Sequence, residues 1–231
     1  MRAADLMTTN VVTVGAQTPV HEIATLLLTR RISAVPVVNQ DHRLVGIVSE
    51  GDLMRRPEND TERRHSWWLA AIASRQQKAG EYIKAHGQTA GEVMTSKVFT
   101  VTADTPAHEI ATLLETHHVK RVPVVEDGRV VGIVSRANLL HGLAATKGGK
   151  PSGDPVEDRT IRDTLNESLS EEIGMDMALV NVVVDDGVVQ LWGLVKSGIE
   201  KKAAEVAAEN VDGVKKVQNY LGQVPEWVMG E

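Results

Sequence analysis

The sequence predicts an α+β protein: two β-α-β-β-α repeats packed about a pseudo-twofold axis, followed by a small C-terminal α+β domain. Three observations predict it. The first is an internal duplication. Asp5-Leu6-Met7-Thr8, Val11-Val12-Thr13-Val14 and Thr18-Pro19-Val20-His21-Glu22-Ile23-Ala24-Thr25-Leu26-Leu27 return 87 positions later as Glu92-Val93-Met94-Thr95, Val98-Phe99-Thr100-Val101 and Thr105-Pro106-Ala107-His108-Glu109-Ile110-Ala111-Thr112-Leu113-Leu114. Val35-Pro36-Val37-Val38 likewise matches Val122-Pro123-Val124-Val125, while Gly46-Ile47-Val48-Ser49 matches Gly132-Ile133-Val134-Ser135 at a spacing of 86, because one turn is a residue shorter. The second is the alternation, inside each copy, of short β-branched runs with a helix-period stretch. The third is the Gly/Pro/Ser-rich stretch at 147–155, after which the pattern changes. Two copies of one unit pack through equivalent surfaces, so paired clefts are expected at their seam.

In the first copy, Val11 to Val14 reads as a strand. Thr18-Pro19 reads as a helix start, with the Thr hydroxyl as cap and Pro at the first helical position. Val20, Ile23, Ala24 and Leu27 then fall on one helical stripe. Val35 to Val38 and Leu44 to Val48 form two apolar strands around a polar turn, and in the second copy that turn contains Asp127-Gly128, a tight-hairpin signal. Gly51-Asp52-Leu53-Met54 and Ala137-Asn138-Leu139-Leu140 open the closing helices. The repeats span about 4–56 and 92–143 within a paired domain at 1–146. The connector at about 57–91 lies outside the repeat, and its apolar residues Trp67, Trp68, Leu69, Ile72, Tyr82 and Ile83 predict one or two helices there. Trp67 and Trp68 fit packing within the domain, a dimer contact or a membrane-facing patch.

The last unit, 156–231, opens with a helix on Ile161, Leu165 and Leu169. Leu179 to Asp185 and Val188 to Gly193 form a hairpin through Asp186-Gly187. Ser197-Gly198-Ile199-Glu200 has capping-box spacing before a helix carrying Ala203, Val206 and Ala207, and Val211-Asp212-Gly213-Val214 leads into a last strand through Leu221.

Composition bounds the function. With no cysteine, thiol catalysis, thiolate metal sites and disulfides are all excluded. A net charge of -6 opposes the phosphate neutralisation on which nucleic-acid binding depends. The N-terminus carries no secretion signal and no apolar run spans a bilayer, so a soluble, cytoplasmic protein is expected. His21-Glu22-Ile23-Ala24-Thr25 and its copy share the leading His-Glu with a metalloprotease helix, but Thr25 and Thr112 stand where the second His is required. No phosphate-binding lysine loop and no nucleophile elbow is present. The sequence therefore predicts neither an enzyme nor a metal site.

The Met-Thr lead, Thr-Pro helix start, Val-Pro-Val-Val strand and Gly-Ile-Val-Ser followed by Asp52 or Asn138 occur in order and twice. This unit resembles a pair of CBS domains, a Bateman module, over about Ala4 to Leu143. The resemblance implies an adenosine-containing ligand (AMP, ADP, ATP or S-adenosylmethionine), no required cofactor, and a homodimer formed through the pair. In the family motif the Ser contacts phosphate and the Asp accepts from ribose hydroxyls, which assigns Ser49 and Asp52 in the first copy. Ser135 and Asn138 match in the second, where the amide keeps an acceptor oxygen and loses the charge. The resemblance places Thr18, Ile32 and Ser33 with Ser135 and Asn138, and Thr105, Val119 and Lys120 with Ser49 and Asp52. Arg121 sits where some members present an Arg to phosphate. Each residue also has a plainer reading: Ser49, Ser135, Thr18 and Thr105 as helix caps, Asp52 as a helix-start acid, Lys120 and Arg121 as a solvated edge. Two unlike pockets follow, one of them weak or vacant.

Val180 to Gly193 and Gly213-Val214-Lys215-Lys216-Val217 resemble a BON domain, a family associated with phospholipid or membrane attachment. The leading expectation is a regulatory nucleotide sensor that signals to a partner. The alternative is a ligand-independent dimerisation scaffold whose last domain attaches to membrane phospholipid or another protein.

Overall fold

A computed structural model describes residues 1–54, 75–146 and 154–224. Trp67, Trp68, Leu69, Ile72 and the linker from 147 to 153 lie outside the described residues.

The first copy contributes β1 (Val14–Gly15), α2 (Val20–Thr29), β2 (Ala34–Val38), β3 (Leu44–Ser49) and the short α3 (Glu50–Leu53). β1 runs parallel to β2 with Val14 opposite Val37, and β2 is antiparallel to β3 with Val35 opposite Val48. The expected strand over Val11 to Val14 shrinks to its end, because the Val11 N–H bonds back to the Thr9 carbonyl at 2.9 Å and leaves the ladder. The helix start is also one residue later than expected. Pro19, in extended backbone (φ −63°, ψ 143°), occupies the N-cap position, so the Thr18 hydroxyl does not cap α2. In the equivalent turn of the second copy the Thr105 hydroxyl accepts from the Thr102 N–H at 3.0 Å. The apolar stripe is as read: Val20, Ile23 and Leu27 are buried, with Ala24 packed beside them.

The second copy contributes α6 (Ala107–Thr116), β4 (Arg121–Glu126), β5 (Arg129–Ser135) and α7 (Arg136–Ala145), after α4 (Arg75–His86) of the connector and α5 (Ala90–Val93) of its lead. Val101 bridges Val124 in parallel, repeating the relation of Val14 to Val37. Asp127 (φ 50°) and Gly128 (φ 82°) adopt the paired left-handed backbone that a tight primed turn needs.

The leading segments change places. In α1 (Ala3–Leu6), the Ala3 N–H bonds the Thr105 carbonyl at 2.8 Å, and Thr8 N–H bonds the Ile133 carbonyl at 3.0 Å. Reciprocally, Ala90 N–H bonds the Thr18 carbonyl at 2.8 Å and Thr95 N–H bonds the Ile47 carbonyl at 2.9 Å. Each lead lays a methionine, Met94 or Met7, across a strand glycine, Gly46 or Gly132, where a Cβ would collide with it. Two compact units result: Val12–Phe99 with Gly128–Val130, and Met1–Val11 with Thr100–Asp127 and Val131–Glu231.

In the C-terminal domain Asp154 caps α8 (Pro155–Glu167), its Oδ1 accepting from the Val156 N–H at 2.8 Å, and the helix runs on into a π-helical turn, Ser168–Glu172. β6 (Val180–Asp185) pairs antiparallel with β7 (Val188–Val195), and β8 (Lys216–Gln223) pairs parallel with β7 after the crossover helix α9 (Gly198–Glu209). Ile161, Leu165 and Leu169 are buried on one face of that sheet with Val182, Val189, Leu191 and Leu221. Ala204 and Ala208, not Ala203 and Val206, point inward, and Val206 is 43% exposed. The small alanines let the helix approach the sheet closely, while Ala203, Val206 and Ala207 line a groove of about 760 Å³ against Ile161 and Ile173. Among the described residues no helix is long and apolar enough to cross a membrane.

Candidate functional site

In the unit built on the first copy, β3 ends at Ser49, whose extended backbone (φ −121°, ψ 165°) makes it the N-cap of α3. Asp52 stands three residues on, so its carboxylate swings back over the strand end. Its Oδ2 accepts from the Ser49 N–H at 2.9 Å and from the Ser49 hydroxyl at 2.7 Å. Its Oδ1 accepts from Lys84 Nζ at 2.6 Å and from the Thr95 hydroxyl at 3.4 Å. The Asp52 side chain is 12% exposed and that of Lys84 44%. Ser33 is drawn to the same point, its carbonyl accepting from the Glu50 N–H at 3.0 Å. Ile32 packs against the core of this unit, and Thr18 lies in the turn before α2.

The second motif repeats the inner half of this arrangement and changes the outer half. Ser135 is the N-cap of α7, and Asn138 Oδ1 accepts from its N–H at 2.8 Å and its hydroxyl at 2.6 Å. The second atom is now a nitrogen: Asn138 Nδ2 donates to the Leu6 carbonyl at 2.9 Å, and the residue is 5% exposed. Val119 and Lys120 lie beside this helix start, the Lys120 carbonyl accepting from Arg136 N–H at 3.2 Å and the Val119 carbonyl from Arg136 Nη2 at 3.4 Å. Lys120 itself is exposed, and Arg121 opens β4 half-buried.

The same unit holds the C-terminal domain. α1 and α7 pack against β6, every residue of which is buried. The Asn181 Nδ2 donates to the Leu6 carbonyl at 3.2 Å, Arg159 Nε pairs with Asp5 Oδ1 at 2.7 Å, and the His141 ring stacks on Trp192 at 4.9 Å between centroids. Trp192 stacks in turn on Tyr220 at 4.2 Å. The Asp5 contact pushes the Arg159 guanidinium above its ordinary pKa. Burial holds the His141 imidazole below its ordinary value, with the Asn181 carboxamide pulling the other way. Even so, His141 Nδ1 and Asn181 Oδ1 are buried without a formed hydrogen bond.

Sequence reasoning missed Lys84 and this junction. Lys84 lies in the connector, outside the duplication, so nothing in the other copy points to it. The junction did leave a signal: Val180 to Val184 is almost continuously apolar, as a strand covered on both faces must be.

The CBS domain family matches residues 3–59 and 90–145, and the BON domain family matches residues 157–225. The chloroplastic CBS domain-containing protein CBSX1 of Arabidopsis thaliana is 31% identical over 140 residues, 56% of this chain and 58% of that protein. An uncharacterized protein of Methanocaldococcus jannaschii is 30% identical over 133 residues, 53% of this chain and 79% of its own length. The crystal structure of CBSX2 of Arabidopsis thaliana in complex with AMP superposes with a TM-score of 0.54 at 27% identity, covering 62% of this chain and 96% of that one. The chain thus spans little more than half the length of CBSX1. With motif order, fold and relatives in agreement, the chain belongs to the CBS-domain family, as a tandem CBS pair followed by a BON domain.

Proposed function

We propose that this protein is a cytoplasmic regulatory module that senses an adenosine-containing ligand, AMP, ADP, ATP or S-adenosylmethionine, and passes the result to a partner without catalysing a reaction. The observation that carries this reading is the Asp52 carboxylate, whose Oδ1 pairs with Lys84. Ser49 holds the carboxylate through Oδ2, and the half-exposed Lys84 balances Oδ1. A ribose hydroxyl donates to such an oxygen, and Lys84, displaced from it, becomes a donor for phosphate alongside Ser49. The AMP complex of CBSX2 supports the ligand class. Thr105, Val119, Lys120 and Arg121, and Thr18, Ile32 and Ser33 with Ser135 and Asn138, belong to the same proposal as ligand contacts, the second motif being the weaker. Homodimerisation through the CBS pair is part of it too. Regulation then follows from differential affinity, since a ligand shifts an equilibrium only by the amount it prefers one state.

Calorimetric and thermal-shift titration of the full chain with AMP, ATP and S-adenosylmethionine tests the reading. A saturable heat and a raised melting temperature are expected with at least one of them. No response from any at millimolar concentration overturns it. One observation favours the scaffold reading instead: the polar atoms of Asp52 and Asn138 all have partners within the chain. That reading predicts silence in the same titrations, together with co-sedimentation of the full chain with phospholipid vesicles.

A further inference from the structure

The sheet of the C-terminal domain is covered on both faces. Val180, Val182 and Val184 point to its own core, while Asn181, Val183, Asp185 and Gln190 point the other way and are also buried. What covers β6 on that second face is α1 and α7, and α7 is the helix that begins at the second motif. The Leu6 carbonyl accepts two amide donors at this junction, Asn138 from the motif and Asn181 from the C-terminal domain. One turn further along α7, His141 lies flat on Trp192, the cross-strand neighbour of Asn181.

These contacts explain the departure of the second motif from the first. An Asp at 138 would turn an oxygen toward the Leu6 carbonyl oxygen, two acceptors with no proton between them. The junction needs the N–H that only the amide supplies. Asn138 also has nothing left for a sugar, because its oxygen serves Ser135, its nitrogen serves Leu6, and it is buried. We propose that Asn138 is a latch. Through Leu6 it holds the C-terminal domain on the second CBS copy, and docking of that domain and occupation of the second motif by an adenosine ligand exclude one another. The exclusion rests on the adenosine reading above; the latch does not.

Amide hydrogen exchange on the full chain tests the latch without ligand. Asn138→Asp, which conserves shape and removes the donor, is expected to raise exchange across Val180–Asp185 and the start of α7 by about tenfold or more while β2 and β3 stay protected. Unchanged exchange in β6 overturns the latch. Should Asn138→Asp fail to fold, Trp192→Leu takes its place: it leaves the motif intact, removes the stack, and is expected to loosen the same two segments. AMP titration then tests the exclusion. Trp192→Leu is expected to bind a second AMP per chain, or to bind it about tenfold tighter than the wild type does. Equal stoichiometry and affinity in the two proteins overturns the exclusion. If neither binds AMP, the adenosine reading and the exclusion fall together, and the exchange result alone decides the latch.

Discussion

Asp52 and Asn138 begin from the same geometry and end in different places. Each sits three residues after a strand-ending serine, and each turns one oxygen back onto that serine's N–H and hydroxyl. The outer atom decides what the motif does. At Asp52 it is a carboxylate oxygen beside a half-exposed lysine, a pair that water partly screens. At Asn138 it is an N–H spent on a buried backbone carbonyl that also anchors the C-terminal domain. The difference teaches that duplication conserves the scaffold of a site, here the cap, more faithfully than its purpose. A single oxygen exchanged for a nitrogen swaps an ion pair with Lys84 for a bond to the Leu6 carbonyl.

The largest expected effect separates the two motifs by stability. Asn138→Ala removes a cap acceptor and leaves buried polar groups short of partners, which is expected to cost about 2 kcal/mol in chemical denaturation of the full chain. A loss no greater than that of an exposed alanine substitution would show that the buried amide does not hold the junction. Asp52→Ala reverses the emphasis. It is expected to cost about 1 kcal/mol of stability and to weaken AMP about tenfold, near 1.4 kcal/mol. Unchanged affinity removes Asp52 from the site.

The junction also predicts a pH dependence on one side only. Burial favours the neutral His141 imidazole, so the folded protein binds that proton at lower pH than the unfolded chain does. This contribution to stability is full above about pH 6.5, the unfolded value, and is lost as pH falls through the lowered folded value. Thermal unfolding from pH 8 down to about pH 5 is expected to fall less steeply for His141→Phe, which keeps the stack and cannot titrate. Parallel curves for the two proteins would contradict the assignment. The smallest effect is expected at Lys84. Lys84→Met costs about 0.5 kcal/mol or less, because the ion pair is half in water, yet it weakens a phosphorylated ligand more than adenosine. Equal weakening of AMP and adenosine would separate Lys84 from phosphate.

Much of this was legible in the sequence because the repeat states it twice. The apolar stripe of α2, the Val-Pro-Val-Val strand and both Asp-Gly turns follow from local periodicity and backbone preference, and the structure keeps them. The exchange of leads was not legible, since Ala3 and Ala90 carry no mark saying which copy's carbonyl they reach. Pro19 shifted the start of α2 because an extended proline serves as N-cap as readily as first helical residue. Of the candidate site, the Ser49–Asp52 and Ser135–Asn138 pairs came from the resemblance to the CBS motif. Lys84, Leu6 and Asn181 did not, being brought to those pairs by tertiary contacts alone.

The most direct test is a calorimetric titration of the full-length protein with AMP, run beside the Asp52→Ala variant at the same concentration. The account predicts saturable binding in the wild type and about tenfold weaker binding in the variant, which melts as a folded protein. Indistinguishable isotherms for the two proteins, or no heat in the wild type at millimolar AMP, would contradict it.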